Sequence, residues 1–239
     1  MNPLVSIIIP NYNHARYLER RMESVFNQTY QNFEVIFLDD CSTDNSLEII
    51  ERYKNDPHLV KIVVNETNSG STFKQWDKGI GLATGELIWI AESDDYCELT
   101  LLEELVRAFV EKRNCVLAYS PTLMIDDEGV MSDIPYEGRN QYMNGMRYVK
   151  HYLSLFNWVK NASCAVFNKK AAMNVSKDYL SYKGAGDMLF WVEIARQGEV
   201  AIVNKPLAYF CRHSGTVTNQ KEFDGTNSIE VKRILDYID

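Results

Sequence analysis

Four short runs of apolar, largely β-branched residues set the frame of this chain. Leu4–Ile9 is ended by Pro10, and Phe33–Leu38, Val60–Val64 and Leu87–Ala91 follow at regular intervals. Between them lie stretches of helical spacing. Arg16–Gln28 carries Leu18, Met22, Val25 and Phe26 on one face. Ser42, Thr43 and Asp44 offer caps for a helix with Leu47, Ile49 and Ile50, and Ser71–Leu82 is a glycine-punctuated helical stretch. Continuous apolar runs suit strands buried on both faces. The β-α-β-α-β-α-β order therefore predicts an α/β fold, with a mostly parallel central sheet flanked by helices.

Beyond residue 100 the pattern loosens. The spacing predicts helices over Leu101–Val110, Met146–Phe156, Asp187–Arg196 and Ser228–Tyr237, and strands at Val116–Tyr119 and Leu207–Arg212. Ile125–Gly145 is polar and turn-rich, which predicts a mobile loop. The 239 residues suit a single domain.

Ligands of open α/β sheets bind outside the carboxyl ends of the strands. Polar clusters sit at three of those ends: "PNYNH" after the first run, "DDCSTD" after the second and "ESDD" after the fourth. This predicts one site built by three loops. Mg²⁺ and Mn²⁺ take oxygen ligands, and Mg²⁺ commonly uses one or two carboxylates plus substrate phosphates. On an extended backbone alternate residues face one way, so Glu92 and Asp94 are expected to point together while Asp95 turns aside or caps the next helix. A solvated turn would also carry three acids. The second acidic strand end, Asp39–Asp40 with Asp44 close behind, favours metal and polar-ligand binding, although Asp44 also suits capping of the helix that starts near Asn45.

Composition narrows the classes. A formal net charge of −8 disfavours a nucleic-acid binder. Five cysteines are scattered without C-x-x-C spacing, which argues for reduced thiols, and no H-E-x-x-H is present. "LVSIII" is too short for a signal-peptide core, and no stretch approaches the ~20 apolar residues of a membrane span, so a cytoplasmic chain is expected. No G-x-G-x-x-G follows the first run, which argues against a Rossmann dehydrogenase.

The runs "VSIIIPNYNHARYLERRMESVFNQTY", "FEVIFLDDCSTDNS" and "GIGLATGELIWIAESDD", with "GDMLFWVEIARQG" and "YFCRHSGTVT" later, resemble glycosyltransferase family 2 in their order. The resemblance implies a GT-A fold, with a nucleotide-sugar-binding half over about residues 1–99 continuous with an acceptor-binding half over about 100–239. It implies inverting transfer of a sugar from a nucleotide-sugar donor, a UDP-sugar above all, to a saccharide or lipid-linked saccharide. Mn²⁺ or Mg²⁺ would assist, and the setting would be surface polysaccharide synthesis, which allows a peripheral place at the inner face of the membrane. Pro10, Asn11 and Tyr12 would line the nucleoside pocket. Asp40 would accept from uracil N3–H, with Asp44 in the same loop and Asn68 and Gly70 bordering the nucleotide. Asp94 would be the chief metal ligand with Asp95 as a second, Glu92 and Ser93 would contact the nucleotide, and Asp187 would be the general base.

Three positions depart from the family pattern. Glu92 stands where Asp is usual, Gly186 where an acid often precedes the base, and Lys74 serves for an absent Arg. Arg212 and His213 are candidates for the diphosphate. Trp191, four residues after Asp187 on one helix face, is a candidate acceptor contact or a core residue, as is Trp158. Tyr136 and Tyr142 fall in the loop expected over the acceptor. The rival readings are a nucleotidyltransferase of similar topology and a non-catalytic nucleotide-sugar-binding module, the latter favoured by Gly186.

Overall fold

The computed structural model describes residues 2–126, 129–130, 138–211 and 225–238. The four apolar runs form β1 (Val5–Asn11), β2 (Phe33–Asp39), β3 (Leu59–Val64) and β4 (Leu87–Ile90). They are joined by α1 (Ala15–Phe26), α2 (Ser46–Glu51) and α3 (Thr72–Leu82). After β4 come β5 (Tyr96–Cys97), α4 (Leu101–Glu111), β6 (Cys115–Tyr119), β7 (Thr122–Asp126), β8 (Gly129–Val130) and β9 (Gln141–Asn144). The chain continues through α5 (Gly145–Tyr148), β10 (Ala165–Asn168), α6 (Lys169–Met173), α7 (Gly186–Ala195), β11 (Glu199–Ile202), β12 (Ala208–Cys211) and a last helix, α8 (Thr226–Ile238).

The main sheet has eight strands in the order β3-β2-β1-β4-β10-β6-β11-β9, and β5-β12-β7-β8 form a smaller second sheet. Because successive side chains of a strand point to opposite faces, the central strands feed two cores. Ile8, Ile36, Ile88 and Ile90 pack with α3, α5, α6, α7 and α8. Val5, Ile7, Ile9, Val35, Phe37 and Trp89 pack with α1, α2 and α4. The mostly parallel, helix-flanked α/β architecture expected from the sequence is the one observed.

Backbone pairing explains where the crevice opens. Odd residues of β1 bond toward β2: Val5 N–H donates to Asn32 O, and Asn11 O accepts from Asp40 N–H. Even residues face β4, where Leu4 O and Ile8 O accept from Leu87 and Ala91. Pro10 thus falls on the β4 side, beyond the last β1–β4 pair at Ile8 and Ile90, where a missing N–H removes no ladder bond. The two strands part there, and the loops of the site begin.

Several expectations need correction. The third run is a sheet edge, with every residue of Leu59–Val64 exposed or half-buried. Ile125–Gly145 is no continuous loop: β8 pairs with β7, and β9 pairs antiparallel with β11. Its residues 131–137, including Tyr136, lie outside the described residues, as do Arg212 and His213. Tyr142 sits on β9, with its hydroxyl bonded to Glu111. The helix expected over Met146–Phe156 is α5 followed by a π-helical turn, Val149–Leu153. The antiparallel strand β10, inserted between β4 and β6, was not expected. Its four residues are too few to show a period.

Candidate active site

The three polar strand ends converge. Asn11 Nδ2 donates to Asp39 Oδ2 at 2.9 Å and to Ser42 Oγ at 3.1 Å. Asn13 Oδ1 accepts from Thr43 N–H at 2.7 Å. Asp44 Oδ2 accepts from Ala15 N–H at the start of α1, while its Oδ1 takes the Ser46 N–H and hydroxyl at the start of α2. Burial alone would raise the Asp44 carboxyl, but these hydrogen bonds outweigh it and hold the group below its ordinary range. One acid therefore caps two helices and ties the first loop to the second. The fourth-strand loop joins through His14 Nδ1 and Ser93 Oγ, 2.8 Å apart. Pro10, Asn11 and Ser93 are buried, whereas Tyr12 stands 46 % exposed at the mouth.

Asp40 is buried and already well supplied with donors. Its Oδ1 accepts from Asn65 Nδ2 (2.6 Å), Ser69 N–H (2.9 Å) and Gln75 Nε2 (2.9 Å), and its Oδ2 accepts from Ser69 Oγ (2.8 Å). Asn68 supports this arrangement by donating to Asp40 O and accepting from Gly70 N–H. Gly70 has φ of 71°, a conformation that favours glycine. Lys74 Nζ binds Ser69 O at 3.0 Å and remains exposed.

The "ESDD" acids do not lie on extended backbone. The chain turns there, with Asp95 N–H donating to Glu92 O at 3.2 Å, so the expectation from strand alternation does not apply. Glu92 turns to α3, where its Oε1 accepts from Trp76 Nε1 at 2.7 Å and Thr72 Oγ1 at 3.3 Å. Burial, then Asp94, pushes its carboxyl up to about 8. The extra methylene that distinguishes Glu from Asp gives the side chain its reach to Trp76. Asp95 turns the other way, and the expectation of a metal ligand at this position gives way to a buried support. It accepts from Asn161 Nδ2 at 2.6 Å and Cys211 N–H at 3.2 Å, with Arg21 at 3.9 Å. Burial and Asp94 raise this carboxyl despite the guanidinium. Arg21 is itself wholly buried, its Nε on Glu92 O at 2.8 Å and its Nη2 on Ser163 Oγ at 2.9 Å. Asp94 lies between these two carboxyls in the turn and, like Glu92, is half-buried.

Asp187 occupies the first turn of α7, where its Oδ2 accepts from Asn157 Nδ2 at 3.0 Å. Burial raises its carboxyl to about 6, against the lowering effect of the Met188 N–H and Asn157. Gly186 has a steric cause. A Cβ there would meet Phe73 Cε2 at 2.6 Å and Tyr179 O at 2.7 Å, so no acid fits beside Asp187. Phe73 belongs to α3, which also carries Trp76, so one helix seats both Glu92 and the start of α7.

Sequence reasoning missed the segment that joins the two acidic centres. Asn157 holds Asp187, Asn161 holds Asp95, and Ser163 Oγ accepts from Glu92 N–H at 3.0 Å. Beside Asn157 the same segment exposes Leu155, Phe156 and Trp158. Of the two places open to Trp191, the structure gives it the core. It is 0 % exposed, packed against Trp76, Phe167 and Phe190 on the core side of α7. Among the described residues no group of three or more His, Cys, Asp or Glu converges on one metal position, and no helix is long and apolar enough to cross a membrane.

Comparison with known proteins settles the family. Residues 6–175 match the profile of Glycosyl transferase family 2. The chain belongs to that family. Among its relatives, the glycosyltransferase GlyG of Streptococcus pneumoniae is 38 % identical over 112 residues, 47 % of this chain and 37 % of GlyG. TuaG of Bacillus subtilis, a putative teichuronic acid biosynthesis glycosyltransferase, is 23 % identical over 92 % of this chain and 83 % of its own. Staphylococcus aureus TarS, a poly(ribitol-phosphate) β-N-acetylglucosaminyltransferase, is 35 % identical over 52 % of this chain, which spans 21 % of TarS. The fold matches TarS 1–349 in complex with UDP, with a TM-score of 0.75 and 22 % identity over 98 % of this chain and 64 % of that one. It also matches the Pyrobaculum calidifontis mannosyltransferase PcManGT in complex with GDP-Man and Mn²⁺, with a TM-score of 0.68 and 17 % identity over 97 % of this chain and 63 % of that one. The family match ends before Asp187, so the last part of the site rests on this chain's own geometry.

Proposed function

We propose that this chain transfers a sugar from a UDP-sugar to a hydroxyl of a saccharide acceptor. One observation carries the reading: one bridging segment, 157–163, holds both Asp187 at a helix start, through Asn157, and the strand-end turn that bears Asp94, through Asp95 and the Glu92 N–H. Glycosyl transfer needs two such centres, one where the nucleoside diphosphate leaves and one where the attacking hydroxyl loses its proton. The base pocket would lie between Tyr12 and the Asp40 loop, with Asn11, Asp44, Asn68, Gly70 and Lys74 shaping its walls. Asp187, ionised above a pH of about 6, suits the role of proton acceptor at neutral pH.

Asp94 is the carboxylate that would hold a divalent cation. Glu92 is turned to Trp76 and Asp95 to Asn161, and the donor's diphosphate would supply further oxygens. Mn²⁺ or Mg²⁺ held there would stabilise negative charge on the departing diphosphate. The acid-rich turn supports this fit, because Asp94 raises both flanking carboxyls and a cation would relieve that repulsion.

Kinship with TuaG, assigned to teichuronic acid biosynthesis, and with TarS, a poly(ribitol-phosphate) β-N-acetylglucosaminyltransferase, supports a polysaccharide acceptor. The exposed Leu155, Phe156 and Trp158 beside Asn157 supply an apolar platform that suits a saccharide face or a lipid-linked acceptor at a membrane surface. Thermal shift with a panel of nucleotide sugars tests the reading, since a ligand bound to the native state raises stability by mass action. UDP-sugars are expected to raise Tm with Mn²⁺ and to do so less with EDTA, and Asp94→Ala to abolish the difference. Equal shifts with and without metal, or none with any nucleotide sugar, would overturn it.

A further inference from the structure

We infer that Glu230, on the C-terminal helix, is a positioning residue that sets the place of Asp187. The inference rests on the reading of Asp187 as general base. Glu230, Ile234 and Ile238 recur every four residues on α8 and are its buried positions. Glu230 thus holds a place in an apolar stripe, only 6 % exposed, where a carboxylate is costly unless hydrogen-bonded. Three successive backbone N–H groups match it. Lys183 donates to Oε1 at 2.8 Å, and Gly184 and Ala185 donate to Oε2 at 2.9 Å each. These amides run into the start of α7, whose cap residue, Ala185, has no side-chain acceptor of its own. A carboxylate from forty-odd residues away thus pins the three amides that lead into the helix.

The clamp has a functional address. Asp187 is the second residue after the last clamped amide. Glu230 fixes that strand of chain from one side, while Gly186, seated on Phe73 and Tyr179 O, fixes it from the other. At the far end of α7, Arg196 Nη2 donates to Tyr237 O and Ile238 O, so α8 is bound to both ends of the helix that carries Asp187. The last helix therefore completes the site, although it lies well outside the part of the chain that the family profile matches. The charge of Glu230 also acts on Asp187 and raises its carboxyl, against the lowering effect of the Met188 N–H and Asn157.

Two full-length variants test this. Gln at 230 keeps one acceptor oxygen and Ala none. Release of UDP from the nucleotide sugar that most stabilises the parent gives kcat and the donor KM. Hydrogen exchange at Lys183, Gly184 and Ala185 reports the clamp directly. In Glu230→Gln, exchange at these amides should rise, kcat should fall about ten- to a hundredfold, and KM and UDP affinity should stay within about twofold. Removing the neighbouring charge should also move the acidic limb of kcat to lower pH. On an Asp187→Asn background, Glu230→Gln should cost nothing further in kcat, because it acts through the residue already lost. Arg196→Leu, which loosens the other end of α8, serves as the control for a purely structural effect and should lower stability with kcat retained. If Glu230→Ala fails to fold, the Gln variant decides. Raised exchange with unchanged kcat, or an equal kcat loss on both backgrounds, would overturn the positioning role. Unchanged kcat in Asp187→Asn itself would instead sink the base assignment.

Discussion

Replacing Asp187 with Asn should make the protein more stable and less active, and both effects follow from the same burial. The Asp187 carboxyl is raised from 3.8 to about 6, chiefly by burial. An acid whose folded pKa lies above its unfolded one binds its proton more tightly when folded. Ionisation therefore favours the unfolded chain as pH rises. No cost is present below the unfolded value near 4. It grows between about 4 and 6 and is complete above 6. At about 1.4 kcal/mol per pH unit, the gap of about two units makes up to about 3 kcal/mol. Asn is nearly isosteric, cannot ionise, and keeps an oxygen for the Asn157 Nδ2 donor. Urea unfolding of parent and variant at pH 4 and pH 7.5 reads this out. The midpoints should nearly coincide at pH 4, and the variant should be the more resistant at pH 7.5. Turnover by the variant should fall about 10²–10⁴-fold, because a carboxamide takes no proton from the attacking hydroxyl. Parent kcat should fall as pH drops through about 6. A stability difference that does not depend on pH would refute the burial argument, and near-parental turnover would leave Asp187 a helix-start residue only.

Other outcomes are equally specific. Asp40 has one donor on Oδ2 and three on Oδ1, so its remaining acceptor capacity should favour uracil N3–H over cytosine N3; CDP competing as well as UDP in a displacement titration would show that Asp40 does not select the base. Gly186→Ala should destabilise by about 1–3 kcal/mol, from overpacking against Phe73 and Tyr179 O, and a Tm equal to the parent's would contradict the steric account. Trp191→Ala should cost about 3–5 kcal/mol of stability while the folded fraction binds UDP normally; weakened UDP binding with unchanged Tm would move Trp191 from the core to the site.

How much of this was legible beforehand depended on range. The alternating runs of residues 4–91 declared the parallel sheet because three of the four strands there, β1, β2 and β4, are buried on both faces and the helices carry their apolar stripes locally. The convergence of "PNYNH", "DDCSTD" and "ESDD" followed at once, since neighbouring parallel strands place their carboxyl ends along one edge. Only the folded chain decided what each acid does. Glu92 and Asp95 look interchangeable with Asp94 in sequence, yet Trp76 takes one and Asn161 the other, from helices and turns 16 and 66 residues away. The antiparallel insertion of β10 has no local signal, because four residues show no period and their partners are chosen by the sheet. Trp191 and Asp187 share a helix face by spacing, but packing against Trp76 and Phe167 turned one into core, while Asn157 kept the other at the site. Glu230 reads as one more charge on an amphipathic helix until the backbone amides of Lys183, Gly184 and Ala185 are seen around it. Local pattern determines which elements form, because propensity and burial period are written in adjacent residues. Which polar group meets which is decided by contacts between distant parts of the chain, and no spacing records those.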